Sequence, residues 1–264
     1  MKRFFEFLII SILFVSSSFS QNGEHINGGQ FSKLIEYNLL ILDSVYNHNS
    51  KEDIEKRFWG KFNAPVEFYY SRSTEAYPVL FYVAGFRILM DSINKTYTLE
   101  VKHVTNYIEA SAAASAKFPL SYEVSPEQLV EDIKKHQKLT EEEQKAKDKQ
   151  REEQQAKNRE ERNRLSNIET ISIPITPLFA ELVYKKTVSL IDNFSSQGLP
   201  RPIYGGFRVI FRTVVGNEVW SLNIHVPKGN ALKMTNMFED ILNSAIEKKF
   251  NESIYIQSLE SFDL

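Results

Sequence analysis

Histidine is the side chain best placed to move protons near neutral pH, and two of them at the right spacing can hold a metal ion. The chain has five, His25, His48, His103, His136 and His225, and no cysteine. No two of the histidines stand at metal-ligand spacing. His103 and His225 close similar stretches, "TYTLEVKHV" and "EVWSLNIHV". Their phases differ, however: Val226 is the counterpart of His103, which puts His225 on the opposite face with Ser221 and Asn223. A shared histidine site is therefore not expected. There is no G-x-S-x-G elbow, no phosphate loop, no dinucleotide fingerprint and no H-E-x-x-H. The expectation is a non-enzyme without catalytic residues, cofactor or metal.

The remaining candidates are binding residues. "GFRILMDSINKTYTLEVKHV" from Gly85 and "GFRVIFRTVVGNEVWSLNIHV" from Gly206 read alike. They are either the halves of a duplicated unit or two amphipathic hairpins alike by chance. In a duplication, Arg87 and Arg208 would be equivalent. They would then flank a shared groove or bind an acidic partner; otherwise each pairs with a local carboxylate. Tyr69 and Tyr70 belong to an aromatic-rich stretch, "VEFYYSRSTEAYPVLFYV". With Tyr77 and Tyr82 they would form a glycan or peptide platform, or else sheet core with hydroxyls at the rim; Trp220 joins Tyr69 and Tyr70 as a candidate contact for a ligand held between the two halves.

These residues need elements to position them. "FSKLIEYNLLILDSVY" carries Phe31, Leu34, Ile35, Leu39, Leu42 and Val45 at helical spacing, predicting a helix. "VEFYY", "YPVLFYVAGFRILM" and "TYTLEV" read as strands, and "TNYIEASAAASAKF" as a helix whose thin alanine face packs closely on a neighbour. In the second half, "TISIPI" reads as a strand. Thr176 and Pro177 start a helix whose core face is Phe179, Val183, Leu190 and Phe194. A hairpin turns at Gly216-Asn217. Asn230 is expected to cap a last long helix with Met234, Phe238, Ile241 and Ala245 inward, and "SIYIQSL" to add a strand.

Between the halves, Pro126 to Leu165 holds acids and bases in equal number and no glycine. Ser125, Pro126 and Gln128 look like a helix start. Glu141–Lys145, Glu143–Lys147, Glu153–Lys157 and Glu160–Arg164 are acid-before-base pairs at i,i+4. Apolar a and d positions are missing, which argues against a coiled coil. A solvated helix or a disordered charged linker remains.

Lys2 and Arg3, the apolar run Phe4 to Val15 and the small residues Ser18 and Ser20 form the pattern of an export signal cleaved after Ser20. The run is too short for a membrane span. A cysteine-free exported chain suits a bacterial periplasm or cell surface. A net charge of −2 gives no electrostatic case for nucleic acid. The expected architecture is α+β, with two similar helix–hairpin–helix units joined by a long charged helix. It divides into a signal peptide (1–20), an N-terminal unit (21–122), a charged helical linker (123–166) and a C-terminal unit (167–264). The expected role is that of an exported, non-catalytic interaction or scaffold protein of the cell envelope, not integral to the membrane once cleaved, with an envelope protein as partner. The alternative is a module that binds a small molecule or glycan.

Overall fold

Period-two alternation in "VEFYYSRS" and "GFRVIFRTVV" makes strands that are apolar toward one side. The computed structural model describes residues 33–37, 58–60, 62, 64–73, 81–119, 141–195 and 206–263. The described elements run β1 (Lys33–Tyr37), β2 (Val66–Ser73), β3 (Phe81–Asp91), β4 (Thr96–Val104), α1 (Tyr107–Lys117), α2 (Glu141–Leu165), β5 (Ile168–Ile175), α3 (Pro177–Asp192), β6 (Gly206–Val215), β7 (Glu218–His225), α4 (Gly229–Ile246) and α5 (Glu252–Glu260). All seven strands form one sheet in the order β1-β7-β6-β2-β3-β4-β5. The expected two-unit architecture is therefore wrong. Strands from both halves of the sequence share a single sheet, with β2 central and antiparallel to both β3 and β6.

The apolar face of the sheet is covered by helices. Phe68 on β2 lies directly opposite Phe86 and Phe211 on its two neighbours. Phe238 of α4 packs against all three rings, with centroids 5.0 to 5.8 Å apart. Met234, Phe238, Ile241 and Ala245 are buried as their spacing requires, as are Phe179, Val183 and Leu190 of α3. Pro177 opens α3, and the Thr176 hydroxyl accepts from the Phe179 amide at 3.3 Å. That is the cap expected from the sequence.

The likeness between the two hairpins is not a duplication. β3 and β6 both run antiparallel to β2, so they point the same way. From there β4 lies on the outer side of β3, and β7 on the outer side of β6, in opposite directions across the sheet. The matched residues Phe86, Ile88, Leu99 and Val101 nevertheless face the same core as Phe207, Val209, Leu222 and Ile224. Two hairpins that bury equivalent residues on the same face, yet turn to opposite sides, have opposite hands. No rotation superposes them. They share an amphipathic pattern, as any two half-buried hairpins do.

One helical and one strand signal were misleading. "KLIEY" is strand β1, paired in parallel with β7, although its apolar spacing fits a helix. The rest of that expected helix lies outside the described residues. "SIYIQSL" falls within helix α5, started by Asn251, whose side chain accepts from the Ser253 amide. The long helix α4 begins at Gly229 with Lys228 at its N-cap, without a side-chain cap.

The described residues divide into two compact units: a sheet unit, before and including His103 and from Glu169 onward, and a second unit, Val104–Ile168. The second unit is a helical hairpin of α1 and α2, inserted in the chain between β4 and β5, which are neighbours in the sheet. The charged helix thus does not join two α+β units. It is the return arm of an insertion.

Candidate functional site

The sheet face turned away from the helices α3 and α4 is polar. One row across five strands reads Glu100, Arg87, Glu67, Arg212, Ser221 on β4, β3, β2, β6 and β7. The next row reads Lys102, Gly85, Tyr69, Ile210, Asn223, and beyond it Ser71, Arg208, His225. Charges of opposite sign alternate along the first row. Arg87 Nε donates to Glu100 Oε1 at 2.8 Å, and Arg212 Nη1 lies 3.8 Å from Glu67 Oε2. Arg208 Nε donates to Asn223 Oδ1 at 2.9 Å. Lys102 Nζ donates to the Phe58 carbonyl. Glu67, Arg212, Ser221, Asn223 and His225 are buried. Burying charges costs several kcal/mol per ion unless they are paired, so the alternation is what makes the face tolerable.

The five sequence candidates divide between the two faces. Arg87, Tyr69 and Arg208 lie on the polar face, with the arginines on either side of β2 and Tyr69 in the row between them. Tyr69 packs on Phe58, and the Arg87 guanidinium sits over the Trp59 ring at 5.7 Å. Tyr70 and Trp220 point to the helix-covered core. Burial, with the Glu239 carboxylate beside it, pushes the Tyr70 phenol well above its ordinary pKa. Trp220 donates from Nε1 to Glu218 at 3.1 Å and carries Lys33 Nζ 4.3 Å over its ring. Tyr69 and Tyr70 therefore lie on opposite faces of the sheet, and Tyr77 lies outside the described residues.

On the polar face, Ser221 does not meet His225 as a nucleophile meets its base. Ser221 and His225 share a face of β7, but four residues of strand separate them by about 13 Å. A nucleophile and base need hydrogen-bond contact. His103 lies on the other face of the sheet, 3.5 Å from Glu169. No group of three or more metal-ligating side chains occurs among the described residues.

The helical hairpin is the second candidate. Alanine at 110 and 114 gives α1 a thin buried face. It packs against α2. The contact is sealed by polar groups. Asn158, 3% exposed, donates from Nδ2 to the Phe118 carbonyl at 2.9 Å. Glu161 accepts Arg164 through both oxygens, at 2.8 and 2.9 Å, and Lys117 at 3.0 Å. Those hydrogen bonds, Arg164 first and Lys117 second, hold its carboxyl down to about 2. Asn106 ties the two ends: its Nδ2 donates to the Leu165 carbonyl at 3.0 Å and its Oδ1 accepts from the Asn167 amide. The Thr105 amide donates to the Asn167 carbonyl at 3.0 Å.

α1 has 11 residues and α2 has 25, about 16 and 37 Å at the standard rise. The contacts with α1 fall on the C-terminal part of α2. Residues 145–153 of α2 are exposed at every position. Sequence reasoning singled out none of Asn106, Asn158 or Glu161. Their roles depend on the hairpin closing, and a charged run conceals which charges turn inward.

A cavity of about 190 Å³ lies in the sheet unit where α4 begins, lined among others by Tyr37, Asn193, Lys228 and Asn230. No helix among the described residues is long and apolar enough to cross a membrane. Comparison with protein-family models, with curated proteins and with solved structures finds no match to this chain.

Proposed function

We propose that the chain is an exported, non-catalytic interaction protein of the bacterial cell envelope, and that its partner binds the inserted helical hairpin. One observation carries this reading: residues 145–153 of α2 are exposed on every side, yet the helix is anchored at its other end by buried Asn158 and Glu161. A helix polar all round contributes no apolar face to a core. An ordered insertion that serves no core belongs with the segments that carry function on a rigid scaffold. The export half of the proposal rests on residues 1–20, which lie outside the described residues.

The ligand-binding alternative has two cavities in the sheet unit to draw on: one of about 190 Å³ at the start of α4, and a more open one of about 490 Å³ between α4 and α5, lined by Met237, Asn243 and Tyr255. The second lies within the 300–1,000 Å³ usual for small-molecule sites.

The insertion can be removed cleanly because its ends already meet. Replacing residues 106–166 by Asn-Gly should leave a folded sheet unit, checked by thermal melting, that no longer recovers a stoichiometric envelope partner in co-purification. Full recovery of the partner by the deleted chain would reject the assignment to the hairpin.

A further inference from the structure

We propose that the buried His103 ring, with Glu169 beside it, is an acid-sensitive clasp at the stem from which the helical hairpin is inserted. His103 is the last residue of the sheet unit before the insertion, and Glu169 is the first after it. His103 Nε2 lies 3.5 Å from Glu169 Oε2, with the imidazole 12% exposed and the carboxylate 53% exposed. The buried Nδ1 has no hydrogen-bond partner among the described residues. One ring nitrogen thus faces a carboxylate at the rim while the other faces the interior.

The surroundings decide which proton state the stem prefers. On its own strand, Lys102 projects to the opposite, polar face. On β3 the residue opposite is Ala84, which is uncharged. Beyond Ala84 on β2 lies Tyr70, held neutral by burial and by Glu239 on α4, with Arg72 near its hydroxyl. On β5, Glu169 attracts a charged ring. Burial is the larger effect on His103 and lowers its pKa below the ordinary 6.5; Glu169 offsets only part of it.

A lowered folded pKa means that the closed stem takes up a proton less readily than the open one. Acid puts a second proton on the ring, and the buried Nδ1 has no acceptor for it among the described residues, so stability from the neutral buried ring is intact above the unfolded pKa of 6.5 and is lost as pH falls through 6.5 toward the folded value, with the Glu169 contact opposing the loss. Mild acid therefore loosens the ends of β4 and β5 where the hairpin enters and leaves. The clasp does not depend on what the hairpin binds.

The test is an NMR titration of the full chain, following the His103 ring protons and the protection of the Thr105 amide from exchange, after correction for intrinsic exchange rates. The His103 midpoint is expected below 6.5, and lower still in Glu169→Gln. Thr105 protection should fall between pH 7 and pH 5, with a limit of about tenfold for each unit of pKa depression. His103→Gln should abolish that fall. A midpoint at or above 6.5 in the wild type overturns the proposal, as does an equal loss of protection in His103→Gln. The wild-type titration decides the question even where the variant folds poorly.

Discussion

Glu67 and Arg212 stand directly opposite each other on β2 and β6, each 6% exposed, with 3.8 Å between Oε2 and Nη1. Each also sits in a row that crosses five strands, with charge alternating over the four from β4 to β6. A one-residue slip of β2 would carry Glu67 into the phenylalanine core and Phe68 onto the polar face. The buried pair therefore fixes the register of the central strand.

Breaking that pair should cost more than replacing it. Arg212→Leu leaves a buried carboxylate and is expected to lose about 3–5 kcal/mol in urea unfolding. The double variant Glu67→Leu/Arg212→Leu should recover at least half of that loss. Additive losses in the two single variants would show that the charges do not act as a pair.

Gly85 is required by close approach. A Cβ there would meet the Phe68 carbonyl oxygen at 2.7 Å and the Trp59 ring at 2.8 Å. Gly85→Ala should destabilise by about 1–3 kcal/mol in chemical denaturation. Adding Trp59→Leu should leave much of the loss in place, because the carbonyl belongs to a hydrogen-bonded central strand and cannot yield as a side chain can.

The helical hairpin should respond to acid through Glu161. Its carboxyl is held down to about 2 in the fold against an ordinary 4.5. A depressed carboxylate stabilises the fold fully above the unfolded pKa and loses that contribution as pH falls from about 4.5 toward 2. Amide protection in α2 should decline over that window in the wild type and decline less in Glu161→Gln. Identical profiles would remove Glu161 from the account.

Much of the local structure was legible in the chain. The strands of the two hairpins, the capped start of α3 and the inward face of α4 follow from period and capping alone. Assembly across the sequence was not. Nothing local tells "TISIPI" that its neighbour is β4, or tells β2 that it will sit between β3 and β6. The helical spacing in "KLIEY" was overridden by pairing with β7, since propensity in so short a segment is weak beside tertiary context. Of the candidate site residues, Arg87 was readable as an arginine with a nearby carboxylate. The burial of Glu67, Arg212 and Asn223 was not, because it depends on strands far apart in the chain lying side by side.

The exposed part of α2 is the surface proposed to meet the partner. A photo-crosslinking side chain at Lys149, compared with one at the exposed Lys233 of α4, tests it in the intact envelope of the host. A discrete crosslinked product from position 149 and none from 233 is the predicted result. No product from the helix, or the same product from both positions, would contradict the placement of the partner on the helical hairpin.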